Sequence, residues 1–322
     1  MNRVRAAFQG RKGAVLAASL IVWALALFDL TLLPRVAGQY LGTLPAKRLA
    51  GVTVPPGSML MTSTNAITPA DLWILSRHGA TTQVVGVPLP IVHTRRGARD
   101  KTLTASVRTT LPSPAGLPVD VEDWPGAGPT LFVVSSPRRW PALRLISLKT
   151  RRTLLKSRVP LPAQKSDRRK FFVARWSGSR PDLFVVDRDV DQRHPPSRRP
   201  WTIRVYSGES GFKKLVFETS IKAWLSKRLS QGDFWLEVGN RRQPRASLVL
   251  VTKGKTGTGQ TEVHVFSGHS GFHRFTLQAG TELQDRIGLS RRFIFESERR
   301  GGTVYMVKNE NGHLSLVPVP LP

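Results

Sequence analysis

Arginines stand in pairs beside aromatic residues at several points: Arg138-Arg139-Trp140, Arg168-Arg169 just before Phe171, and Arg198-Arg199 just before Trp201, with a further pair at Arg241-Arg242. A guanidinium is a planar fork of donors that grips a carboxylate or phosphate through two hydrogen bonds, and its face stacks on an aromatic ring. Arg138, Arg139, Trp140, Arg168, Arg169, Arg198, Arg199, Trp201, Arg241 and Arg242 are therefore the candidate set for holding an anion or an acidic partner. Similar pairs recur at Arg95-Arg96, Arg151-Arg152, Arg291-Arg292 and Arg299-Arg300. A generally basic composition accounts for part of the pattern.

Other constellations are weaker. Asp187, Asp189 and Asp191 alternate as calcium ligands do, but no Gly and no bidentate Glu follow at the required places. A solvated loop neutralised by Arg188, Arg193 and Arg198 is the simpler reading. His264, His269 and His273 fall on a strand and a turn, where their side chains diverge and share no metal. Gly254-Lys255-Thr256-Gly257-Thr258-Gly259 lacks the upstream glycine and the helix of a phosphate loop. Gly208-Glu209-Ser210-Gly211 is not the Gly-x-Ser-x-Gly of a nucleophile elbow. No catalytic residue, metal ligand set or cofactor site is expected.

The chain of 322 residues carries 49 Lys and Arg against 21 Asp and Glu, a formal charge of +28. That field attracts anions: acidic polysaccharide, anionic lipid headgroups, an acidic protein or nucleic acid. Cysteine is absent, so disulfides and thiolate metal sites are excluded.

Residues 1–12 hold Arg3, Arg5, Arg11 and Lys12 and no acid, and are read as a cytoplasmic tail. Residues 13–34 are apolar apart from Asp29, long enough for one membrane-spanning helix. Arg35 stands badly for cleavage after Ala37, so an uncleaved signal anchor is favoured over a removed signal peptide. The bulk of the chain is then extracytoplasmic. Residues 35–58, rich in Pro and Gly, read as a juxtamembrane linker.

From about Met59, short apolar runs alternate with turns. The strongest are Leu72–Leu75, Leu131–Val134, Leu183–Val186, Leu248–Val251 and Phe293–Glu296. Each is followed by further strand signals, and some are preceded by one, as at Phe171–Ala174 and Phe234–Val238. An aromatic-Ser-Gly-x-Ser-Gly-Phe signature occurs twice, at Tyr206–Phe212 and Phe266–Phe272. Repeats of about four strands in about 50 residues indicate an all-β propeller of about five four-stranded blades over residues 59–322. A five-bladed ring and a ring with a divergent extra blade from residues 40–65 are both compatible. Runs such as Leu-Phe-Val-Val suit a strand covered on both faces by neighbouring blades.

Val173-Ala174-Arg175-Trp176-Ser177-Gly178-Ser179-Arg180-Pro181-Asp182-Leu183-Phe184-Val185-Val186, with the downstream Ile203–Phe212 and Val263–Phe272, resembles FG-GAP and VCBS-type repeats. These build the propellers of integrin α-subunits and many bacterial surface proteins. The resemblance covers about residues 60–322. It implies an Asp-rich loop ahead of the strong strand, often calcium-binding. Here Arg175, Ser177 and Ser179 stand where the acids would be; Gly178 and Asp182 match. Gly239–Arg245 is basic as well, so no calcium is expected in these loops.

The resulting expectation is a membrane-anchored extracytoplasmic propeller that binds a protein partner or an anionic envelope polymer rather than nucleic acid, without catalysis. The alternatives are an accessory subunit docking through Asp29 and its helix, and a glycan-active hydrolase or lyase. The hydrolase reading requires a carboxylate pair that the sequence does not display. Oligomeric state is not read.

Overall fold

The computed structural model describes residues 47–62, 72–88, 105–135, 141–161, 169–188, 201–220, 234–239, 245, 247–253, 260–266, 268–272, 275–282, 292–296, 303–310 and 312–320. These form an all-β unit of five four-stranded antiparallel sheets within residues 45–321. Four sheets are sequential meanders. The first holds β2 (Met59–Thr62), β3 (Leu72–His78), β4 (Thr81–Val87) and β5 (Val107–Pro112). The second holds β6 (Leu117–Trp124), β7 (Gly128–Ser135), β8 (Ala142–Ser147) and β9 (Thr153–Arg158). The third holds β10 (Lys170–Ala174), β11 (Asp182–Arg188), β12 (Trp201–Tyr206) and β13 (Leu215–Ser220). The fourth holds β14 (Phe234–Gly239), β15 (Ser247–Lys253), β16 (Gln260–Phe266) and β17 (Phe275–Glu282).

The fifth sheet is composite. β18 (Arg292–Glu296), β19 (Thr303–Glu310) and β20 (His313–Pro320) are joined at the edge by β1 (Lys47–Thr53), which pairs antiparallel with β20. Two expectations change here. Lys47–Thr53 is a strand, where a linker over 35–58 was read. Phe293–Glu296 is the first strand of its sheet rather than the second, because an earlier segment supplies the outer edge. The first strands of the sheets neighbour one another: β2 lies by β6, β6 by β10, β10 by β14, β14 by β18, and β18 by β2. No helix among the described residues is long and apolar enough to cross a membrane; the apolar run 13–34 lies outside them.

Packing explains the unbroken apolar runs. Alternate residues of β11 face opposite ways. Leu183 and Val185 join Phe132, Leu143 and Phe171 in one core cluster, while Phe184 and Val186 join Trp201, Ile203 and Trp176 in another. β7 divides likewise: Phe132 and Val134 pack toward the third sheet, Leu131 and Val133 toward the first. Each buried large side chain contributes roughly 1.5–3 kcal/mol relative to exposure. A second strand covered on both sides therefore carries much of its sheet's stability.

Candidate functional site

The loop between β10 and β11 is organised by two carboxylates. Asp182 opens β11 and is fully buried. Its Oδ2 accepts the amide hydrogens of Trp176 at 2.9 Å and Ser177 at 2.6 Å, and its Oδ1 accepts that of Gly208 at 2.8 Å. The Ser177 hydroxyl adds a bond at 3.1 Å. Burial holds the Asp182 carboxyl above its usual range, with these donors opposing it only in part. Glu209, exposed in the turn between β12 and β13, reaches across to the same loop. Its Oε1 accepts from the Ser179 hydroxyl at 2.8 Å and from the amides of Ser179 and Arg180 at 3.1 Å. Those bonds hold its carboxyl below the usual range. The loop that would carry calcium in the resembled family thus wraps its backbone amides around two carboxylates.

The repeated signature has a mechanical meaning. Gly211 and Phe212 both adopt positive φ, 63° and 67°, as do Gly271 and Phe272 at 61° and 64°. A left-handed Phe is strained by roughly 1–2 kcal/mol. The compensation is packing on the preceding sheet: Phe212 lies 6.0 Å from the Trp124 ring and 6.4 Å from Phe132, edge to face with the latter. Phe272 stacks on Trp176 at 5.2 Å. Arginines complete both sites, Arg180 over Trp124 at 5.2 Å and Arg245 over Trp176 at 4.9 Å. The first glycine has a different task from the second. A β-carbon on Gly208 would overlap the Pro181 carbonyl oxygen.

A charge ladder crosses the third sheet. Asp187 at the end of β11 is fully buried between Arg169 at 3.1 Å and Arg204 at 2.7 Å. Arg204 also pairs with Glu218 on β13 at 2.9 Å. Burial raises the Asp187 carboxyl, opposed by Arg204 and Arg169. Two members of the candidate anion-binding set are corrected by this geometry. Arg169 is only 2% exposed because it neutralises Asp187. Trp201 is fully buried in the core cluster with Phe184 and Ile203. Arg138, Arg139, Trp140, Arg168, Arg198, Arg199, Arg241 and Arg242 lie outside the described residues, as do Asp189, Asp191, His273 and residues 254–259. His264 lies on β16 and His269 in the turn Gly268–Ser270.

Sequence reasoning missed β6 and its acids. Asp120 and Glu122 are buried, and Asp120 bridges sheets by accepting the Val173 amide at 3.4 Å. Burial raises the Asp123 carboxyl, with Arg175 acting against it. The signal was three acids within Leu117–Trp124, which disguised an inner strand as a loop.

No protein-family model matches this chain, and no curated protein does. Solved structures to which it is similar include Kuenenia stuttgartiensis hydrazine synthase, at 12% identity over 83% of this chain and 79% of that one, with a TM-score of 0.38. Another is an uncharacterized protein of Listeria monocytogenes EGD-e, at 8% identity over 85% of this chain and 69% of that one, with a TM-score of 0.31. Neither likeness bears on chemistry.

Proposed function

We propose that the chain is an FG-GAP-like propeller of five blades, held outside the cell by an N-terminal signal anchor, that binds a protein partner or anionic envelope polymer without catalysis. The cyclic order of neighbouring first strands, β2 to β6 to β10 to β14 to β18 and back to β2, supports a closed ring. β1 completing the fifth sheet fits a ring whose ends are tied together.

The observation that carries the binding role is an excess of exposed cations in two corresponding turns. Lys149, Arg151, Arg152, Lys213 and Lys214 are exposed, against one exposed acid in these turns, Glu209, which is tied to Ser179 and Arg180. These five cations sit in the β8–β9 and β12–β13 turns. An antiparallel meander places corresponding turns at the same end of their sheets. In a chain whose formal charge is +28, five cations against one acid in these turns support an electropositive end.

The test uses the full chain in detergent micelles, passed over immobilised polyuronate and over a neutral glucan. Retention on the acidic polymer alone, falling steeply with salt, is expected. Replacing Lys149, Arg151, Arg152, Lys213 and Lys214 by Glu abolishes it. Absence of retention at low salt, with no protein crosslinked in intact membranes, overturns the reading. Asp29 within the apolar run 13–34 favours a second reading, an accessory subunit docked through its helix. Mild-detergent pull-down of wild type against Asp29→Leu separates the two.

A further inference from the structure

A cleft of about 120 Å³ lies where the end of β1 meets the first sheet. One wall is apolar, made by Val52 and Pro55 facing Ile74, Val85 and Ala105. Ser76, Gln83 and Arg108 line the remainder, with Thr53 at the β1 side. The sheet residues belong to one face: Ser76 pairs with Gln83, and Ile74, Val85 and Arg108 form the adjoining row. The Ser76 hydroxyl bonds that of Ser58 at 2.7 Å.

The third sheet shows what this face lacks. Aligning Leu72-Trp73-Ile74-Leu75 with Leu183-Phe184-Val185-Val186 puts Ser76 at the place of Asp187. The row Ile74–Val85–Arg108 then corresponds to Val185–Arg204–Glu218. In the third sheet an arginine is clamped by two built-in carboxylates. In the first, both acid places are taken by other residues, and one of these is Arg108 itself. β1, β3, β4 and β5 contain no Asp or Glu at all. Arg108 has no acid partner, and the Gln83 amide no hydrogen-bond partner, among the described residues. Cavities that enclose whole ligands run about 300–1,000 Å³, so this cleft has room for an end group only.

The geometry points to a binding site for a carboxylate on a short branched apolar stem. Arg108 takes the carboxylate through its fork, Gln83 donates beside it, and the stem lies against Ile74, Val85 and Val52. A free small acid and the C-terminal residue of a peptide share that chemistry. The site rests on the binding role proposed above, but it is distinct from the cationic turns.

The probes are isovalerate, isovaleramide, a short peptide ending in Val as free acid or as amide, and an oligouronate. Each is titrated into the full chain in micelles, followed by the methyl resonances of Val52, Ile74 and Val85. Isovalerate is expected to shift them saturably and isovaleramide to leave them unmoved. Arg108→Gln weakens binding about tenfold or more, the range for a lost hydrogen bond to a charged group, while Arg158→Gln on β9 changes nothing. Tighter binding of the free-acid peptide than of isovalerate assigns a protein C-terminus; equal or weaker binding assigns a small acid.

Equal binding of amide and acid, equal loss in both arginine variants, or methyl shifts produced by oligouronate alone overturns the site. Loss of polyuronate retention with an intact isovalerate titration overturns only the polymer reading. The converse result overturns only the cleft.

Discussion

The third and first sheets are built on the same meander, yet their faces toward the preceding sheet are finished differently. Between the second and third sheets, Phe132, Phe171, Tyr206 and Phe212 fill the interface, and the polar row of Asp187 is closed by its own ladder. Where β1 meets the first sheet, the corresponding row is Ser76, Val85 and Arg108, and a cleft remains. One sheet spends its charges on itself. The other leaves an exposed arginine, Arg108, lining a cleft. Two or three side chains at fixed register positions thus decide whether sheets of one plan close an interface or leave a cleft.

The largest effect should come from breaking the filled interface. Phe212→Ala removes a fully buried ring between Trp124 and Phe132. A loss of roughly 3–5 kcal/mol is expected, the range for deleting a core Phe, measured by urea unfolding followed by Trp fluorescence. A loss below about 1 kcal/mol would mean that the signature turn is not a staple between sheets. Next comes the ladder. Asp187→Asn keeps the shape but leaves the buried Arg169 without the counter-charge of Asp187 and Arg204 with Glu218 alone, at a cost of about 3 kcal/mol. If the substitution is neutral by the same measurement, the ladder does not neutralise a buried site.

The filled interface also has a pH signature. Burial pushes the Tyr206 phenol up to about 12 from its usual 10.0, despite the nearby Arg204. Its hydroxyl donates to the Pro160 carbonyl at 3.3 Å. The folded chain keeps this proton between about pH 10 and 12, where the unfolded chain has lost it, so stability falls as pH rises through that window. Tyr206→Phe should flatten that part of the alkaline unfolding curve and remove the late component of the phenolate absorbance titration. Loss of an early component, near pH 10, in place of the late one would put Tyr206 in water. The corresponding place in the first sheet is Val87, by the same alignment, so the open side contributes no such slope.

Much of this contrast was legible in the sequence, and the illegible part has a physical reason. Strong strands were readable because both faces of β3, β7 and β11 are buried, which leaves a run of apolar residues rather than an alternation. β6 was hidden because Asp120, Glu122 and Asp123 interrupt its pattern, and β1 because its partner β20 lies more than two hundred residues away. Asp182 was picked out as a surviving family position, but its engagement by the Gly208 amide requires a turn from beyond the next strand. The Arg169 pair was visible; its burial was not, since a charged residue goes inside only where an acid such as Asp187 meets it. Arg108 drew no notice because a lone arginine looks like ordinary surface until the register shows which carboxylates are missing around it.

Arg180→Ala tests the rim of the filled interface more gently. The guanidinium stacks on Trp124 and approaches Glu209 at 3.5 Å, in a partly exposed setting. A cation–π contact there contributes about 0.5–1 kcal/mol, so a shift of that size in the urea midpoint is expected, with Trp emission altered. A loss as large as that of Phe212→Ala would mean that the arginine, not the phenylalanine, joins the sheets.

The last test gives the first sheet the acid it lacks. Ser76→Asp places a carboxylate on the face that carries Arg108, at the position Asp187 holds in the third sheet. Ser76 is buried while Arg108 is exposed, so the new carboxylate must be desolvated, and an ion pair contributing about 0–1 kcal/mol offsets only part of that cost; the bond to Ser58 is lost as well. Stability should fall, by roughly 1–3 kcal/mol. Isovalerate binding should vanish, because the new side chain occupies the anion's place and neutralises its partner. Undiminished isovalerate binding in Ser76→Asp would show that the two sheets do not correspond residue for residue, and the contrast between them would lose its basis.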